Sequence, residues 1–555
     1  MSGLIKVWLV LLPILVLQGC ASYKQQTEPA RQALLVQDWA AAEQALLRDL
    51  DGERREKILL NLELGMLRHL AGDYQGSHGL FEQAKADAEA AQTLSVTEEL
   101  RVLLTSPRQR IYRPQTFERL FVEYIQTLNF IALSEAAVHS SDPSRSSNSA
   151  NLAQQREALN NARVMVRQKE IQLNDLAAQV LDYQAAAEQR ETPFYRLLAI
   201  LRLLNGDLFD RSEYVLRDNA WLRYVTGMIY EQRGEWSAAQ VAYQQAAELY
   251  EQGYREQMGL SDQVTQQAWF DTLRMMKRLN QPGWPGLAAQ KLSEPQQQQL
   301  QAWQPGWVEL VQVVHQGWIP QRGEMNAMLI VNHRTQNMEV YPIILAPGDE
   351  GLAQSIWFYL MYTDKGLARL ALNIYQDGLR GIVRGAIGSK TLFLGPIWPQ
   401  VQAVGLDRAA QTPLRVTLPY YDLLAWPQPT KLQWRLNEQA VTGVMMDAPA
   451  IQAVQAQLLA ANEDFYAALA RAMLKRLGVQ AVTQDNAWLR LLGDIATSAT
   501  EAAETRNWQT LPAYIHLQRY WVEPGLVTWV DVDGQTQQRE LSAGERWWLP
   551  IAHQQ

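Results

Sequence analysis

Two stretches of this chain repeat one spacing, and that spacing restricts the fold more than any other feature. In LELGMLRHLAGDYQGSHGLFEQA (Leu62 to Ala84) a glycine, Gly65, is followed sixteen positions later by Phe81, with AGDY between them and Ser77 and Ala84 on either side of the aromatic. In YVTGMIYEQRGEWSAAQVAYQQA (Tyr224 to Ala246) the same positions hold Gly227, Tyr243, RGEW, Ala239 and Ala246. A residue without a side chain lets two helices cross closely, and an aromatic from the second helix fills the space so created. Each stretch therefore predicts a pair of antiparallel helices joined by a tight turn.

The flanking sequence carries the same character. From about Pro29 to Arg278 Ala, Leu, Gln and Glu dominate, and apolar residues recur at three and four, as on one face of a helix. The two stretches resemble tetratricopeptide repeats. A weaker copy surrounds LNGDLFDRSEYVL (Leu204 to Leu216), and VQDWAAAEQALL (Val36 to Leu47) resembles a second-helix fragment. Such repeats bury their faces against one another, so several are needed for stability. The expectation is an irregular helical solenoid over residues 20–279, interrupted by a polar, Ser-rich loop at 139–151. If the glycines occupy the position of closest helix approach, a concave groove is lined by Leu59, Leu62, Met66 and His69 in one repeat and by Trp221, Tyr224, Met228 and Glu231 in the other. These side chains are mostly apolar and aromatic, so something covers them: another part of this chain or a protein partner.

Residues 1–19 hold Lys6 followed by an apolar run, Val7 to Leu17, about half the length a membrane-spanning helix requires. The run ends in Leu17, Gln18, Gly19, Cys20, similar to the lipobox of bacterial lipoproteins, in which the peptide is cut before the cysteine and the thiol is acylated. Cys20 is the single cysteine, so this expectation leaves no disulfide and no thiolate metal site. Several acyl chains, each contributing about 0.8 kcal/mol per buried CH₂, would hold the N-terminus in a membrane. Ala21 in place of an aspartate directs such lipoproteins to the outer membrane, facing the periplasm.

At residues 280–306 Pro, Gly and Gln accumulate, and a linker is expected there. Beyond it, over 307–555, strand-like runs such as WVELVQVVHQG, MNAMLIVNH, MEVYPIIL and LRVTLPYY alternate with amphipathic helices such as NEDFYAALARAMLKRLG, in which Phe465, Leu469, Met473 and Leu477 fall on one face. Asp533 and Gly534 lie between two strand-like runs and predict a hairpin. The fold class expected is a helical N-terminal half followed by a mixed α+β domain.

Little in the sequence points to a reaction. A net charge of −8 argues against nucleic acid as a partner. GLRGIVRGAIGSKT (Gly378 to Thr391) has glycines, but Ser389 separates Gly388 from Lys390 and breaks the phosphate-loop pattern, so no nucleotide is expected. None of the seven histidines pairs at metal-ligand spacing, and no metal or other cofactor is expected. An acid–base site in the C-terminal half would have to draw on His333, Arg334, Glu339, Lys390 and Arg415.

A wider resemblance is carried by HLAGDYQGSHGLFEQA, RPQTFERLFVEYIQTLNFIAL (Arg113 to Leu133), ARVMVRQKEIQ (Ala162 to Gln172), TGMIYEQRGEWSAA, LRVTLPYY and TRNWQTLPAYIHLQRYWVEPG (Thr505 to Gly525). Together they are similar to a family of bacterial tetratricopeptide-repeat outer-membrane lipoproteins often encoded near activators of peptidoglycan synthases. The resemblance implies a cell-envelope role: a lipid-anchored, non-enzymatic scaffold or adaptor that recruits an envelope protein through its groove. An envelope hydrolase or transferase with its site in the C-terminal domain is the alternative.

Overall fold

The computed structural model describes residues 23–50, 54–92, 107–139, 153–172, 218–362, 390–403, 405–430, 432–477, 502–530 and 534–554. The signal segment with Cys20, the polar stretch 140–151, the weak repeat at 204–216 and the glycine string up to Ser389 lie outside these residues.

The helical half begins with α1 (Tyr23–Leu35), α2 (Trp39–Leu50), α3 (Lys57–Leu70), α4 (Tyr74–Gln92) and α5 (Thr116–His139). It continues with α6 (153–172), α7 (Ala220–Gln232), α8 (Trp236–Leu249) and α9 (Asp262–Arg278). The pairs α3/α4 and α7/α8 are the two helical hairpins expected from the repeated spacing. Their glycines act as anticipated: a Cβ on Gly65 would lie 2.8 Å from the Phe81 ring, and one on Gly227 would lie 2.5 Å from the Tyr243 ring. No side chain fits at either crossing.

The expected linker at 280–306 is instead two short helices, α10 (Trp284–Lys291) and α11 (Glu294–Ala302). Pro285 and Pro295 sit in first turns, where a missing N–H costs nothing, and a Ser293/Gln296 capping box starts α11. Leu300 and Trp303 are buried. Lys277 Nζ ties the segment to α9, donating to the carbonyls of Leu300, Gln301 and Trp303 at 2.9, 2.8 and 2.7 Å. The glutamines occupy the wet side of these helices, which is why the composition resembled a loop.

Among the described residues the C-terminal half is built on three sheets. The central one has the order β12–β1–β9–β8, where β1 is Val308–Trp318, β8 Val444–Asp447, β9 Pro512–Val522 and β12 Arg546–Trp548; β13 (Ala552–Gln554) adds parallel to β1. A second sheet is β4–β3–β2–β5, from Lys390–Phe393, Asn337–Ile343, Arg322–Asn332 and Leu414–Tyr421. The third is β11–β10–β6–β7, from Thr536–Leu541, Gly525–Val530, Gln433–Leu436 and Gln439–Thr442. Gly534 turns the expected β10/β11 hairpin, with Val530 opposite Thr536. Helix α12 (Gly348–Tyr362) follows β3, and α13 (Pro449–Leu477) carries Phe465, Leu469 and Met473 into the core as its periodicity implied.

Every residue of β1 is buried, because both faces are covered. Val308, Leu310 and Val314 pack with Trp434 and Trp529 of the third sheet. Val311 and Val313, on the other face, belong to the same core as Leu59 and Leu62 of α3 and Trp221 and Tyr224 of α7. The helical and β halves thus share one hydrophobic core, with helices concentrated in the N-terminal half and sheets in the C-terminal half.

Candidate functional site

The groove expected for a partner is filled by the chain itself. Leu59, Leu62, Met66, His69, Trp221, Tyr224, Met228 and Glu231 are all buried. Strands β1 and β9, with the segment 505–511 that leads into β9, pack on these helices. At the first hairpin, Glu63 of α3 accepts hydrogen bonds from the backbone N–H groups of Gln509 (2.7 Å) and Thr510 (3.1 Å) and from the Thr510 hydroxyl (2.6 Å). Burial pushes the Glu63 carboxyl up to about 7, against the pull of these donors. Glu118 of α5 accepts in the same way from the backbone N–H of Trp508, at 3.1 Å. The His69 ring lies 6.2 Å from that of His315 on β1, while its Nδ1 pairs with Asn129 at 2.6 Å. A segment with unpaired backbone donors and an apolar groove with buried carboxylates complete one another, and this is the physical reason no open groove exists.

At the second hairpin the contact is ionic. Arg519, on β9, donates to Glu231 of α7 at 2.5 Å, to Glu309 of β1 at 2.6 Å and to the Tyr243 hydroxyl at 2.8 Å, and it lies 3.2 Å from Asp271 of α9. Arg274 grips Glu231 with two nitrogens, at 2.5 and 2.6 Å, and also reaches Asp271. Arg546, on β12, closes the network by donating its Nε to Glu309 at 2.6 Å. Three guanidinium groups thus meet three buried carboxylates. Burial works to raise the Glu231 carboxyl, but Arg274 and Arg519 outweigh it and hold the group well below the usual carboxylate range. Ions this deep survive only when paired and fully hydrogen-bonded.

Beside this network the seam between the halves opens into a cleft of about 390 Å³. Its lining brings together Trp236, Trp303, Trp307 and Trp521, arginines 274, 278, 539 and 546, and glutamates 135, 231, 309 and 545. The arginines stack on the indoles: Arg278 lies 3.8 Å over Trp236, and Arg274 4.4 Å over Trp521. Glu135, from α5, has its carboxyl pushed up to about 7 by burial, with Arg546 and Arg539 acting in the opposite sense. Glu231 is the one groove residue named from sequence that also lines this cleft.

The cleft escaped the sequence reading because its residues come from segments far apart in the chain. One signal was present. Along β9 the face bearing Ala513, Ile515, Leu517 and Trp521 is apolar except for Arg519, and along β1 the face bearing Val311 and Val313 includes Glu309. Lone opposite charges on two buried strand faces mark an ion pair with a third partner.

The alternative acid–base set is not assembled. His333 Nε2 meets the backbone carbonyl of Asp407 at 3.0 Å, and Arg334 lies exposed in the following turn. Glu339 accepts from Tyr341, and Arg415 donates to Asn326 at 2.9 Å. Lys390 pairs across the strands with Val340, so it projects to the opposite face of the sheet from Glu339. Among the described residues no group of three or more His, Cys, Asp and Glu could hold a metal ion, and no helix is long and apolar enough to cross a membrane. No family model, curated protein or solved structure matches the chain.

Proposed function

We propose that this chain is a lipid-anchored, non-catalytic adaptor of the bacterial cell envelope. Cys20 carries the acyl anchor, at the periplasmic face of the outer membrane. The helices form a tetratricopeptide-like solenoid over 20–279 that grips the chain's own α+β half, and a protein partner is recruited through the cleft at the seam. The cleft is the observation that carries this reading. It combines four tryptophans with a row of arginines, the residue types that dominate binding energy at protein interfaces. The lipobox and the resemblance to tetratricopeptide-repeat lipoproteins support the envelope setting. Photo-crosslinking in living cells tests the proposal, with the photoreactive residue placed at half-buried Trp307 or at buried Tyr224. A discrete envelope protein captured from position 307, with only peptides of this chain captured from 224, is the expected result; capture of only this chain from both positions refutes recruitment through the cleft.

An envelope hydrolase is the second reading, and the observation favouring it is now Glu135. A carboxyl pushed up to about 7 that lines one cleft with carboxylates held by arginines supplies the acid and the base this reading needs. It requires that purified protein cleave cell-wall material and that Glu135→Gln abolish the cleavage.

A further inference from the structure

The seam cleft has an unbalanced set of hydrogen-bonding groups. All four of its carboxylates are engaged. Glu231 and Glu309 are held by Arg274, Arg519 and Arg546, Glu545 by Arg539 and the backbone N–H of Ser542, and Glu135 by the backbone N–H of Trp548. Several donors are left over. Arg546 spends Nε and Nη2 on Glu309, while its Nη1 is buried without an acceptor. The indole N–H of Trp303, a residue only 2% exposed, is also buried without one. Arg278 lies flat on Trp236, and among the described residues it is within ion-pairing distance of no carboxylate. One acceptor is left over, the buried Oε1 of Gln232. Buried polar groups in native proteins have partners, and three that lack one line this cleft together, where a ligand could supply them.

Resting on the recruitment reading above, we propose that the cleft binds the free C-terminal carboxylate of a peptide chain. The leftover groups specify this chemistry. Arg278 and Arg546 Nη1 present cationic N–H groups to a planar two-oxygen anion, the pairing for which guanidinium is best shaped. The Trp303 N–H accompanies them toward a carbonyl, and Gln232 Oε1 accepts one N–H, which the last amide of a chain provides. A polyol such as a neutral sugar donates as often as it accepts and would need free carboxylates that this cleft does not have. The volume of about 390 Å³ is at the small end of ligand pockets, large enough for a chain end and too small for a folded surface.

The test uses the full chain in detergent, immobilised and offered an array of random hexapeptides with free C-termini and the same array amidated. The acid array is expected to be retained at least tenfold more strongly, because charge-assisted bonds to two guanidinium groups are lost on amidation. Arg278→Met should erase that preference and Arg278→Lys should keep part of it, with a cooperative melt retained in both, since Arg278 is half-exposed and makes no direct ion pair with the network. Equal retention of both arrays, retention of neither, or an acid preference that persists in Arg278→Met overturns the proposal. So does displacement of the best peptide by glucuronate or inorganic phosphate as effectively as by the peptide itself, which would assign the cleft to sugar acids or to phosphate. If position 307 still captures a partner while the arrays fail, recruitment stands and the carboxylate does not; failure of both removes both.

Discussion

Replacing Arg519 with methionine, which keeps the length of the side chain and removes its charge, tests whether the ionic network holds the two halves together. The substitution takes away donors to Glu231, Glu309 and Tyr243 and the ion pair with Asp271, all of them buried. Breaking a buried pair by removing one partner typically costs about 3 to 5 kcal/mol, because the remaining charge is uncompensated. Here each carboxylate keeps a second guanidinium: Glu231 and Asp271 keep Arg274, and Glu309 keeps Arg546. The cost should therefore lie at the low end, about 3 kcal/mol, which amounts to roughly a hundredfold increase in opening of the seam. Native-state hydrogen exchange is the assay, since it resolves sub-global opening. Amides of Ala220–Gln232 and of Pro512–Val522 should accelerate together by about that factor. Adding Glu309→Gln should cost less than the sum of the two single changes. Exchange that rises by less than about fivefold, or rises in β9 alone, would show that apolar packing holds the seam and that the ion network is incidental.

Further consequences can be measured independently. Gly65→Ala places a methyl 2.8 Å from the Phe81 ring and should destabilise by about 1 to 3 kcal/mol in urea titration, with partial recovery in the double variant carrying Phe81→Leu. Glu63 holds its proton up to about pH 7 when folded but only to about 4.5 when unfolded, so it makes stability fall as pH rises between those values, by up to about 3 kcal/mol. Melting temperatures of Glu63→Gln should show a correspondingly weaker decline between pH 4.5 and 7 than the parent, whatever their absolute level. His69, lowered to about 4 by burial, acts in the other direction: its contribution is present above about 6.5 and is lost as pH falls toward 4, so His69→Gln should flatten the acid limb. Cys20→Ser should move the protein from the membrane fraction to the soluble fraction of a cell lysate, and retention in the membrane would refute the lipid anchor.

The helical pairs were legible because their determinants are local. Gly65 and Phe81, or Gly227 and Tyr243, lie within one supersecondary unit, so a single window of sequence holds both sides of the contact. The β10/β11 hairpin was legible for the same reason. The helices at 284–302 are hidden in the sequence because proline and glutamine also mark loops, while the burial of Leu300 and Trp303 depends on what α9 presents to them. The eight residues of α3 and α7 are apolar enough to require a cover, yet that cover begins more than two hundred residues away for α3 and about ninety for α7, at β1. The cleft is further out of reach. Arg278 and Trp236 stand forty-two positions apart and Glu135 and Arg539 four hundred and four, and no periodicity within a strand or helix connects them.

The filled groove also determines where a partner can bind. A ligand entering between these helices and β9 would have to displace β9 and the segment before it, orphaning Glu63 and Glu118 from the backbone N–H groups of Trp508, Gln509 and Thr510 and Glu231 from Arg519. Each buried acceptor left without its donor costs about 1 to 3 kcal/mol, and more when it is charged. Three such sites together consume most of the roughly 8 kcal/mol that a micromolar partner supplies. The apolar contacts of Ile515 and Leu517 would be lost as well. A partner of ordinary affinity therefore cannot open the groove, whereas the seam cleft is already open beside the network and asks for no displacement. Under the proposed recruitment, affinity for the partner should accordingly be unchanged by Tyr224→Phe, which keeps the packing within the groove, and reduced at least tenfold by Arg278→Met, whose parent side chain lines the cleft. The opposite ranking would place recruitment in the groove and require the C-terminal strands to detach from it.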